Sequence, residues 1–342
     1  MRIAEVAPAA MPIERGVGES IEQLVWMLTE ELVRRGHDVT LFATGDSRTS
    51  ARLESIYRRG YEHDPDLWDW SFHETMHAGA AFEQAHHFDV IHCHNYHFSL
   101  PFTRMTATPV VHTHHVEMNQ DVREAYRRYP EVRLVAVSEF QRAAFGDLPN
   151  VSVVMHGIDT AAFPFEARGG DYLLFLGRMI GDKGPVHAVE VAQALDMPLV
   201  LAGPGGDHYE AHVAPLVDGE RIRYAGRVDA LRRNDLLAGA AALLFPAVYP
   251  EPFGLVLIEA MACGTPVAAT AIGAVPEIVE EDVTGATASS PGGMPDAVKR
   301  ALTLDRARIR GRAEERFDYR TMVDGYEALY ATAAAAQPRA GP

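Results

Sequence analysis

The chain has 342 residues, of which 47% are hydrophobic and 23% are charged, and this composition is that of an ordinary globular protein. The length predicts two domains of about 150 residues each. The formal net charge of −16 excludes a general positive field, so we expect neither a nucleic-acid partner nor binding to an anionic membrane. A local phosphate site is still compatible with this charge.

The cysteines and the apolar segments predict a cytoplasmic protein. Cys93 and Cys263 lie in no CxxC or zinc-like spacing, so we expect reduced thiols. The N-terminal residues 1–13 contain no uninterrupted apolar stretch of the kind found in signal peptides. The longest apolar run, 236–248, is too short to cross a bilayer. We therefore expect no transmembrane segment, and the oligomeric state stays open.

The first half of the chain alternates short apolar strands with helical stretches. A helix is predicted from Ser20 to about Arg35, where Gly36 ends it. The predicted strands are Arg2–Val6, Val39–Ala43, Asp89–His92, Val110–Thr113 and Leu134–Val137. This alternation predicts an α/β fold with a parallel, doubly wound sheet, and we assign residues 1–165 to an acceptor-binding, Rossmann-like domain.

The same pattern restarts after a polar, turn-rich break near residue 165. The predicted strands are Tyr172–Leu176, Leu199–Ala202, Ile222–Tyr224, Ala242–Phe245 and Pro266–Ala269. We predict a second Rossmann-like domain, which binds the donor, over residues 166–318. Residues 319–342 are predicted to form a final helix that packs toward the first domain, followed by a tail. Two such domains facing a central cleft would place ligands at the carboxyl ends of their strands.

Two glutamates bracket the strongest motif, Glu251-Pro-Phe-Gly-Leu-Val-Leu-Ile-Glu259. Glu251 precedes a predicted helix, and Glu259 lies inside it on roughly the same side. The amides of Phe253, Gly254 and Leu255 lie at the start of this helix, where unpaired N–H groups and the helix dipole favour a diphosphate. A buried Glu259 can accept hydrogen bonds from two ribose hydroxyls. A capping Glu and a solvated Glu are the simpler interpretation, but the following Ala-Met-Ala-Cys-Gly-Thr-Pro favours a site.

A second motif, Gly177-Arg178-Met-Ile-Gly-Asp-Lys183-Gly184, follows a predicted strand. It is neither a Walker motif nor a GxGxxG fingerprint. Arg178 can bind a diphosphate with two parallel hydrogen bonds, and Lys183 can neutralise it as a point charge. A surface loop with ordinary cations is the alternative, but Lys183 is one of only two lysines in the chain.

The N-terminal loop Gly16-Val17-Gly18-Glu19 and the histidines are weaker signals. The loop joins the first strand to the first helix, and a plain tight turn explains it equally well. His92-x-His94-x-x-His97 and His112-x-His114-His115 stand at the ends of two predicted strands. A metal site is one interpretation, since His-x-His on a strand puts both rings on one side. No Asp or Glu completes either set, so we favour hydroxyl binding.

Together the motifs resemble glycosyltransferase family 4 over nearly the whole chain. Further matching segments, in family order, are Asp89-Val-Ile-His92-x-His94, Thr113-His-His115, His156-Gly157-Ile158-Asp159, Leu201-Ala-Gly-Pro204-Gly205 and Gly273-Ala-Val-Pro-Glu277. The resemblance implies a GT-B fold, a hexosyltransferase of class EC 2.4, retention of anomeric configuration, and no metal or other cofactor. It also implies a nucleotide-diphosphate sugar as donor, UDP-sugar being favoured over GDP-sugar, and a hydroxyl group as acceptor.

The resemblance implies roles for individual residues. Glu259 resembles the ribose-binding Glu, Glu251 the Glu that contacts the donor sugar, and Arg178 and Lys183 the diphosphate ligands. His115 resembles the active-site His beside the transferred sugar. His114 competes for that role, because the doubled His leaves the register open by one. The other donor-binding positions implied are Gly18, Gly177, Gly203, Val228 (against the base), Phe253, Gly254 and Leu255.

The sequence departs from the family in its acceptor half, which is short and rich in His and aromatic residues such as Trp68 and Trp70. The usual Asn-Gly-Val-Asp is also His156-Gly-Ile-Asp here. We therefore predict an uncommon acceptor, an oligosaccharide or a natural product such as an avilamycin-type antibiotic. His94, His114 and Tyr96 are the candidate acceptor contacts.

Three other functions fit parts of the pattern. A sugar-nucleotide epimerase or hydrolase of the same fold needs the same donor groups but no acceptor. A metal hydrolase would be built on the histidines. A non-catalytic protein that binds sugar nucleotides would not need Glu251.

Overall fold

The chain forms two compact units. The computed structural model describes residues 1–16, 20–64, 66 and 69–336. Unit 1 comprises Met1–Gly157 and the segment that begins at Tyr319, and unit 2 comprises Ile158–Asp318. The chain therefore passes into unit 2 before the polar break near residue 165. The amide of Ile158 already donates to the Phe317 carbonyl at 2.9 Å, and the Thr160 hydroxyl donates to Asp318 at 3.0 Å.

Unit 1 is built on a seven-stranded parallel sheet with the strand order β3-β2-β1-β4-β5-β6-β7. The strands are β1 Arg2–Val6, β2 Asp38–Phe42, β3 Arg52–Glu54, β4 Val90–Cys93, β5 Val110–Thr113, β6 Arg133–Ala136 and β7 Val151–Val153. The helices are α1 Ser20–Arg34, α2 Trp70–Glu83, α3 Gln120–Arg127, α4 Glu139–Phe145 and α11 Tyr319–Ala335. The sequence misses β3 and β7, because a strand of three residues, none of them buried, carries too little apolar pattern.

The central strands of unit 1 are buried along their whole length, as expected for a parallel sheet covered on both faces. Ile91 and Leu134 pack with Phe82, Tyr126 and Phe145 in its core. Several buried strand positions are nevertheless polar. They are Glu5, Thr40, His92, His112 and Thr113. Buried polar groups in such strands usually have hydrogen-bond partners. Glu5, His92 and Thr113 are joined in one network through the Tyr330 hydroxyl and the His92 ring, whereas the ring nitrogens of His112 have no partner among the described residues.

The last helix, α11, completes unit 1. Its Tyr326 and Tyr330 are buried in the unit. On its outer side Glu327 contacts Arg35 at 2.7 Å and His37 at 2.8 Å. The apolar face and the ion pairs together hold this segment on unit 1.

Unit 2 is built on a six-stranded parallel sheet with the order β10-β9-β8-β11-β12-β13. The strands are β8 Leu173–Leu176, β9 Leu199–Ala202, β10 Ile222–Tyr224, β11 Ala242–Phe245, β12 Val267–Thr270 and β13 Gly285–Ala288. The helices are α5 Pro185–Leu195, α6 Ala230–Gly239, α7 Leu255–Ala262, α8 Val275–Ile278, α9 Met294–Ala301 and α10 Arg306–Phe317. The sequence misses β13, which is made largely of Gly and Ala, residues with weak strand propensity.

The strand order of each sheet reverses beside its first strand, at β1/β4 in unit 1 and at β8/β11 in unit 2. Open α/β sheets bind ligands outside the carboxyl ends of the strands at such a switch point. These two edges are therefore where the functional residues are expected. None of the described helices has the length and hydropathy that a membrane crossing needs. Cys93 and Cys263 are buried free thiols.

Candidate active site

The switch point of unit 2 brings Lys183 and Glu251 together. Lys183 ends a 3-10 turn, Gly181–Lys183, in the loop after β8, and Glu251 lies in the loop after β11. The amide of Val248 donates to the Asp182 carbonyl at 2.9 Å and ties the two loops to each other. The sequence places both residues in a donor site, and the fold explains why two separate motifs meet.

Lys183 and Glu251 form a direct ion pair, Nζ to Oε1. Their side chains are 24% and 19% exposed, so both remain within reach of a ligand. Arg178, in the same loop as Lys183, is exposed. A phosphate ligand would meet one exposed guanidinium and one ammonium group whose present partner is a carboxylate.

The start of α7 lies beside this pair. Gly254 occupies the N-cap position with φ +93°, and no described side chain caps the first turn. The first amides of α7 therefore remain available to an anion. Phe253 is buried and packs edge-on against Phe317, with ring centroids 6.3 Å apart. Pro252 lies in the loop before α7, which begins at Leu255.

The downstream Gly273 holds the backbone of Glu251. A Cβ atom at Gly273 would lie 2.6 Å from both the amide nitrogen and the carbonyl oxygen of Glu251, and its φ is +62°. The next amide, that of Ala274, donates to the Glu251 carbonyl at 3.1 Å. Only glycine permits this close approach, which gives the Gly273 motif a structural reason.

Glu259 has a partner that the sequence did not predict. Arg233 on α6 lies 3.2 Å from its Oε1, and the Glu259 side chain is 14% exposed. Burial raises the pKa of Glu259, and the charge of Arg233 opposes that rise. Arg233 follows another arginine, Arg232, and nothing in the local pattern distinguishes the inward-facing member of the pair.

The remaining predicted donor residues that the structure describes lie at the same carboxyl edge of the unit 2 sheet. Gly177 follows β8, and Gly203 follows β9 and donates to the Gly226 carbonyl at 2.8 Å. A Cβ atom at Gly203 would lie 2.0 Å from the Gly177 carbonyl oxygen, so the two loops are in backbone contact. Val228 is half-buried in the loop after β10.

Four residues named in the sequence analysis, Val17, Gly18, Glu19 and Trp68, lie outside the described residues. The donor-binding role of Gly18 therefore stays a prediction.

In unit 1 the switch point holds a buried Glu5. Parallel pairing of β1 with β4 sets Glu5 opposite His92. Glu5 is fully buried; its Oε1 accepts a hydrogen bond from the Tyr330 hydroxyl at 2.8 Å, and its Oε2 lies 3.0 Å from His94 Nε2. Burial acts to raise the pKa of Glu5, but the charge and hydrogen bonds of His92 and His94 outweigh it and lower the pKa to about 2. Glu5 is therefore a carboxylate.

A chain of histidines continues from Glu5. His94 Nδ1 lies 2.9 Å from His115 Nε2, and the His115 ring stacks on that of His156 with centroids 5.3 Å apart. Burial lowers the pKa of His94 to about 4, with a further contribution from His92, against the raising effect of Glu5. Burial, together with the neighbouring histidines, lowers the pKa of His115 well below its ordinary value. Both rings are neutral near pH 7.

His114 lies in a different environment. Its Nδ1 lies 3.0 Å from the Tyr126 hydroxyl, and its Nε2 lies 3.2 Å from the Glu117 carbonyl. Both ring nitrogens thus have protein partners. His94 and His114 are 3% and 2% exposed, whereas Tyr96 is half-buried with φ +52°.

Glu5, His92 and His94 offer ligand atoms that all lie within 4.8 Å of one another, close enough for a metal ion. The histidine motifs contain no carboxylate, and the fold supplies one from β1 through strand pairing. The sequence missed Glu5 because it precedes His92 by almost ninety residues. The one local signal was a carboxylate between the apolar residues Ala4 and Val6 of a predicted strand. The same atoms also have protein partners: His92 Nδ1 lies 2.5 Å from the Tyr330 hydroxyl and His92 Nε2 lies 2.7 Å from the Thr113 hydroxyl, and Glu5 and His94 are hydrogen-bonded to each other.

A cavity of about 610 Å³ lies beyond the carboxyl ends of β2 and β3 in unit 1. It is lined by Asp46, Tyr57, Arg58, Arg59, Asp64 and His73. The rings of Tyr57 and His73 lie 4.3 Å apart and are tilted by 30°. The lining combines two carboxylates, two guanidinium groups and two rings, which suits a ligand rich in hydroxyl groups.

Comparison with known proteins links both units to one enzyme class. Residues 160–316 match the family model Glycosyl transferases group 1, and residues 21–162 match the model Glycosyltransferase Family 4. The D-inositol 3-phosphate glycosyltransferase of Frankia alni is 27% identical in an alignment that covers 86% of this chain and 88% of that protein.

Two solved structures are similar over almost their whole length. AviGT4, a glycosyltransferase involved in avilamycin A biosynthesis, has a TM-score of 0.75 and 25% sequence identity, with 98% of each chain covered. Anabaena Alr3699/HepE in complex with UDP and glucose has a TM-score of 0.70 and 17% identity, with 97% of this chain and 100% of that chain covered. At that identity the likeness to HepE concerns the fold alone.

Proposed function

Because the chain belongs to the glycosyltransferases of the GT-B fold, with a family 4 domain followed by a group 1 domain, we propose that it is a retaining enzyme that uses a nucleotide-diphosphate sugar. The acceptor is a hydroxyl group. The observation that carries this proposal is the Lys183–Glu251 pair at the switch point of unit 2, beside the uncapped start of α7.

Different residues are proposed to bind different parts of the donor nucleotide. Arg178, Lys183 and the first amides of α7 bind the diphosphate. Glu259 accepts hydrogen bonds from the ribose hydroxyls, and Arg233 favours its ionised, accepting form. Val228 lies against the base. UDP is the proposed nucleotide, since HepE carries UDP in a structure of the same fold; a GDP-sugar is the alternative that the ligand panel below tests.

Bond breaking follows from this arrangement. The C1–O bond of the sugar breaks heterolytically, and its electron pair stays on the leaving diphosphate, which gains negative charge. Lys183, Arg178 and the α7 amides stabilise that charge as it forms, a role that a metal ion performs in other transferases. The acceptor hydroxyl attacks from the same face and gives its proton to a phosphate oxygen. Glu251 contacts the sugar hydroxyls once the diphosphate has taken over Lys183.

Of the two histidines that compete for the active-site role, we assign His115. Both ring nitrogens of His114 are engaged by Tyr126 and Glu117, so a substrate would have to displace a protein partner. His115 has one ring nitrogen, Nδ1, with no partner among the described residues.

The acceptor is proposed to be a saccharide or a related natural product. AviGT4 acts in the biosynthesis of an antibiotic, and the Frankia relative is named for a phosphorylated polyol acceptor, so both support a hydroxyl-rich substrate. His94 and His114 are almost fully buried, which leaves Tyr96 and the cavity at Tyr57 and His73 as the more accessible acceptor contacts.

Donor binding is the direct test. We expect Lys183→Ala to weaken UDP binding by at least about tenfold in isothermal titration calorimetry, because a charge-assisted contact contributes about 1.5–3 kcal/mol. Lys299→Ala is the matched control, since Lys299 is the only other lysine and is exposed beside Asp296. A thermal shift panel of UDP-, GDP-, ADP- and dTDP-compounds identifies the base. Full UDP affinity in both Lys183→Ala and Glu259→Ala would remove the donor assignment.

Product analysis separates the rival functions. Incubation with UDP-glucose alone should give slow hydrolysis at most, and transfer should need an acceptor. Rapid acceptor-free conversion would instead identify an epimerase or hydrolase. Binding without any turnover would identify a non-catalytic protein. Loss of activity after exhaustive chelation, restored by a divalent cation, would contradict the metal-independent mechanism.

A further inference from the structure

The buried hydrogen-bond chain Glu5–His94–His115 runs from β1 through the loop after β4 to the loop after β5. Its two links are His94 Nε2 to Glu5 Oε2 at 3.0 Å and His115 Nε2 to His94 Nδ1 at 2.9 Å. The proton positions in such a chain are not independent, because each neutral imidazole carries a single N–H.

The carboxylate of Glu5 determines the direction of the chain. An ionised carboxylate only accepts hydrogen bonds, so His94 must carry its proton on Nε2. The Nδ1 of a neutral His94 is then an acceptor, and the bond to His115 forms only if His115 carries its proton on Nε2. The Nδ1 of His115 is left with a lone pair.

That last nitrogen is the one without a partner. His115 Nδ1 is buried, and no described protein group lies within hydrogen-bond distance. A buried acceptor without a partner costs stability unless a ligand supplies the hydrogen. The chain therefore ends at His115 Nδ1, a hydrogen-bond acceptor that is available to a donor group of a ligand.

We propose that Glu5 is a positioning residue that holds His115 in the Nε2–H tautomer, so that His115 Nδ1 accepts a hydrogen bond from a hydroxyl of the transferred sugar. This inference rests on the proposed function in one respect, that His115 contacts the sugar. A sugar that lacks this hydroxyl, or a ligand that offers only an acceptor there, would bind poorly. His115 recognises a hydroxyl hydrogen and does not act as an acid.

The hydrogen-bond chain itself is testable without any substrate. In full-length protein labelled with ¹⁵N-histidine, long-range ¹H–¹⁵N spectra distinguish protonated from unprotonated ring nitrogens, and a His115→Gln variant assigns the His115 signals. We expect Nδ1 unprotonated and Nε2 protonated in both His94 and His115. A His115 that is protonated on Nδ1 in the wild-type protein would overturn the proposal.

Glu5→Gln should reverse the direction of the hydrogen bonds in the chain while keeping the size of the side chain. If the carboxamide oxygen keeps the hydrogen bond from the Tyr330 hydroxyl, its NH2 group faces His94 Nε2 and donates to it. His94 would then carry its proton on Nδ1, and His115 would follow. We expect both tautomers to switch, as read from the same spectra. Tyr330→Phe is the matched control: it removes the hydroxyl bonded to Glu5 Oε1 from the same buried cluster and should leave both tautomers unchanged. Unchanged tautomers in a folded Glu5→Gln protein would contradict the proposal.

The effect on catalysis is measured as the Kd for UDP and the kcat for UDP-glucose. Glu5→Gln should leave the Kd for UDP unchanged and lower kcat for UDP-glucose by about tenfold, the usual size of an effect transmitted through a hydrogen-bonded partner. Equal kcat in Glu5→Gln and the wild type would overturn the claim that Glu5 positions His115 for a hydrogen bond to the sugar. Absence of any UDP-glucose turnover in the wild type would count against the proposed function alone, since the spectra test the chain separately.

A metal ion is the competing explanation of the cluster. Addition of one equivalent of Zn²⁺ should leave the His94 signals in place if the hydrogen-bond chain is the functional state. A stoichiometric shift of the His92 and His94 ring nitrogens, absent in Glu5→Gln, would overturn the proposal in favour of a metal site.

Discussion

The ammonium group of Lys183 lies in direct contact with the carboxylate of Glu251, although the two residues are 68 positions apart in the chain. Each follows one of the two strands that flank the switch point of unit 2. The pair neutralises itself in the absence of a substrate. In the proposed donor site, a diphosphate would compete with Glu251 for Lys183, and the displaced carboxylate would become available to sugar hydroxyls.

Glu251→Gln should strengthen the binding of UDP by about threefold, because a partly exposed ion pair contributes up to about 1 kcal/mol that the diphosphate no longer has to replace. Turnover of UDP-glucose should fall in the same variant, because the proposed contact of Glu251 is with the sugar. UDP has no sugar, so its binding does not depend on that contact. Calorimetry with UDP and steady-state kinetics measure the two effects. Glu190→Gln, an exposed change on α5, is the control. Weaker binding of UDP would show that Glu251 orients Lys183 rather than competing for it.

Glu259→Gln should make the ligand-free protein more stable while it weakens donor binding. Burial raises the pKa of Glu259, so above that pKa the folded state holds a buried charge that the unfolded state exposes to water. This cost decreases as the pH falls below the folded pKa, and it is absent below the lower pKa of the unfolded state. At pH 8 we expect the free energy of unfolding in urea to rise by about 1 kcal/mol. The exposed Glu220→Gln should change neither stability nor UDP affinity.

Glu74 predicts a pH-dependent stability of unit 1. It is fully buried, its Oε1 accepts from the Ala9 amide at 2.8 Å, and burial raises its pKa from 4.5 to about 7, with the nearby Glu22 contributing. The folded state keeps this proton where the unfolded state loses it, so stability falls as the pH rises from 4.5 to about 7. The loss amounts to about 3 kcal/mol.

Glu74→Gln removes this dependence. The variant should be more stable than the wild type at pH 8 and nearly equal to it at pH 5, as measured by urea unfolding at both pH values. Glu62→Gln, an exposed change in the neighbouring turn, should leave the wild-type pH profile unaltered. The same difference between Glu74→Gln and wild type at both pH values would mean that Glu74 is not the titrating group.

Arg306 holds the start of α10 against the rest of unit 2 by hydrogen bonds. It is 8% exposed, and its guanidinium donates to the carbonyls of Glu166, Ala238 and Ala240 at 2.6, 2.9 and 3.0 Å. Arg306→Met leaves these buried carbonyls without their donors, so we expect a loss of about 3 kcal/mol in urea unfolding. The exposed Arg308→Met on the same helix should cost less than about 0.5 kcal/mol. Equal urea midpoints for the two variants would show that the hydrogen bonds of Arg306 do not stabilise unit 2.

Most strands could be predicted from the sequence because their signals are local. An apolar run of four or five residues marks a buried strand, as at Val110–Thr113 and Leu199–Ala202, where prediction and structure have the same bounds. Strands of two or three half-buried residues, such as β3, and the Gly- and Ala-rich β13 lack that signal. The polar break near residue 165 suggested a boundary there, whereas hydrogen bonds from Ile158 and Thr160 already hold the preceding residues in unit 2.

By itself the sequence determined the enzyme class and the group around α7. Glu251, Gly254 and Glu259 belong to one segment of nine residues that runs from the loop after β11 into α7, so the chain itself keeps them close together. Only the tertiary structure decided which distant side chains complete the sites. Strand register sets Glu5 opposite His92, helix packing brings Arg233 to Glu259, and the switch point joins Lys183 to Glu251. These pairings depend on strand order, which no local pattern of side chains specifies.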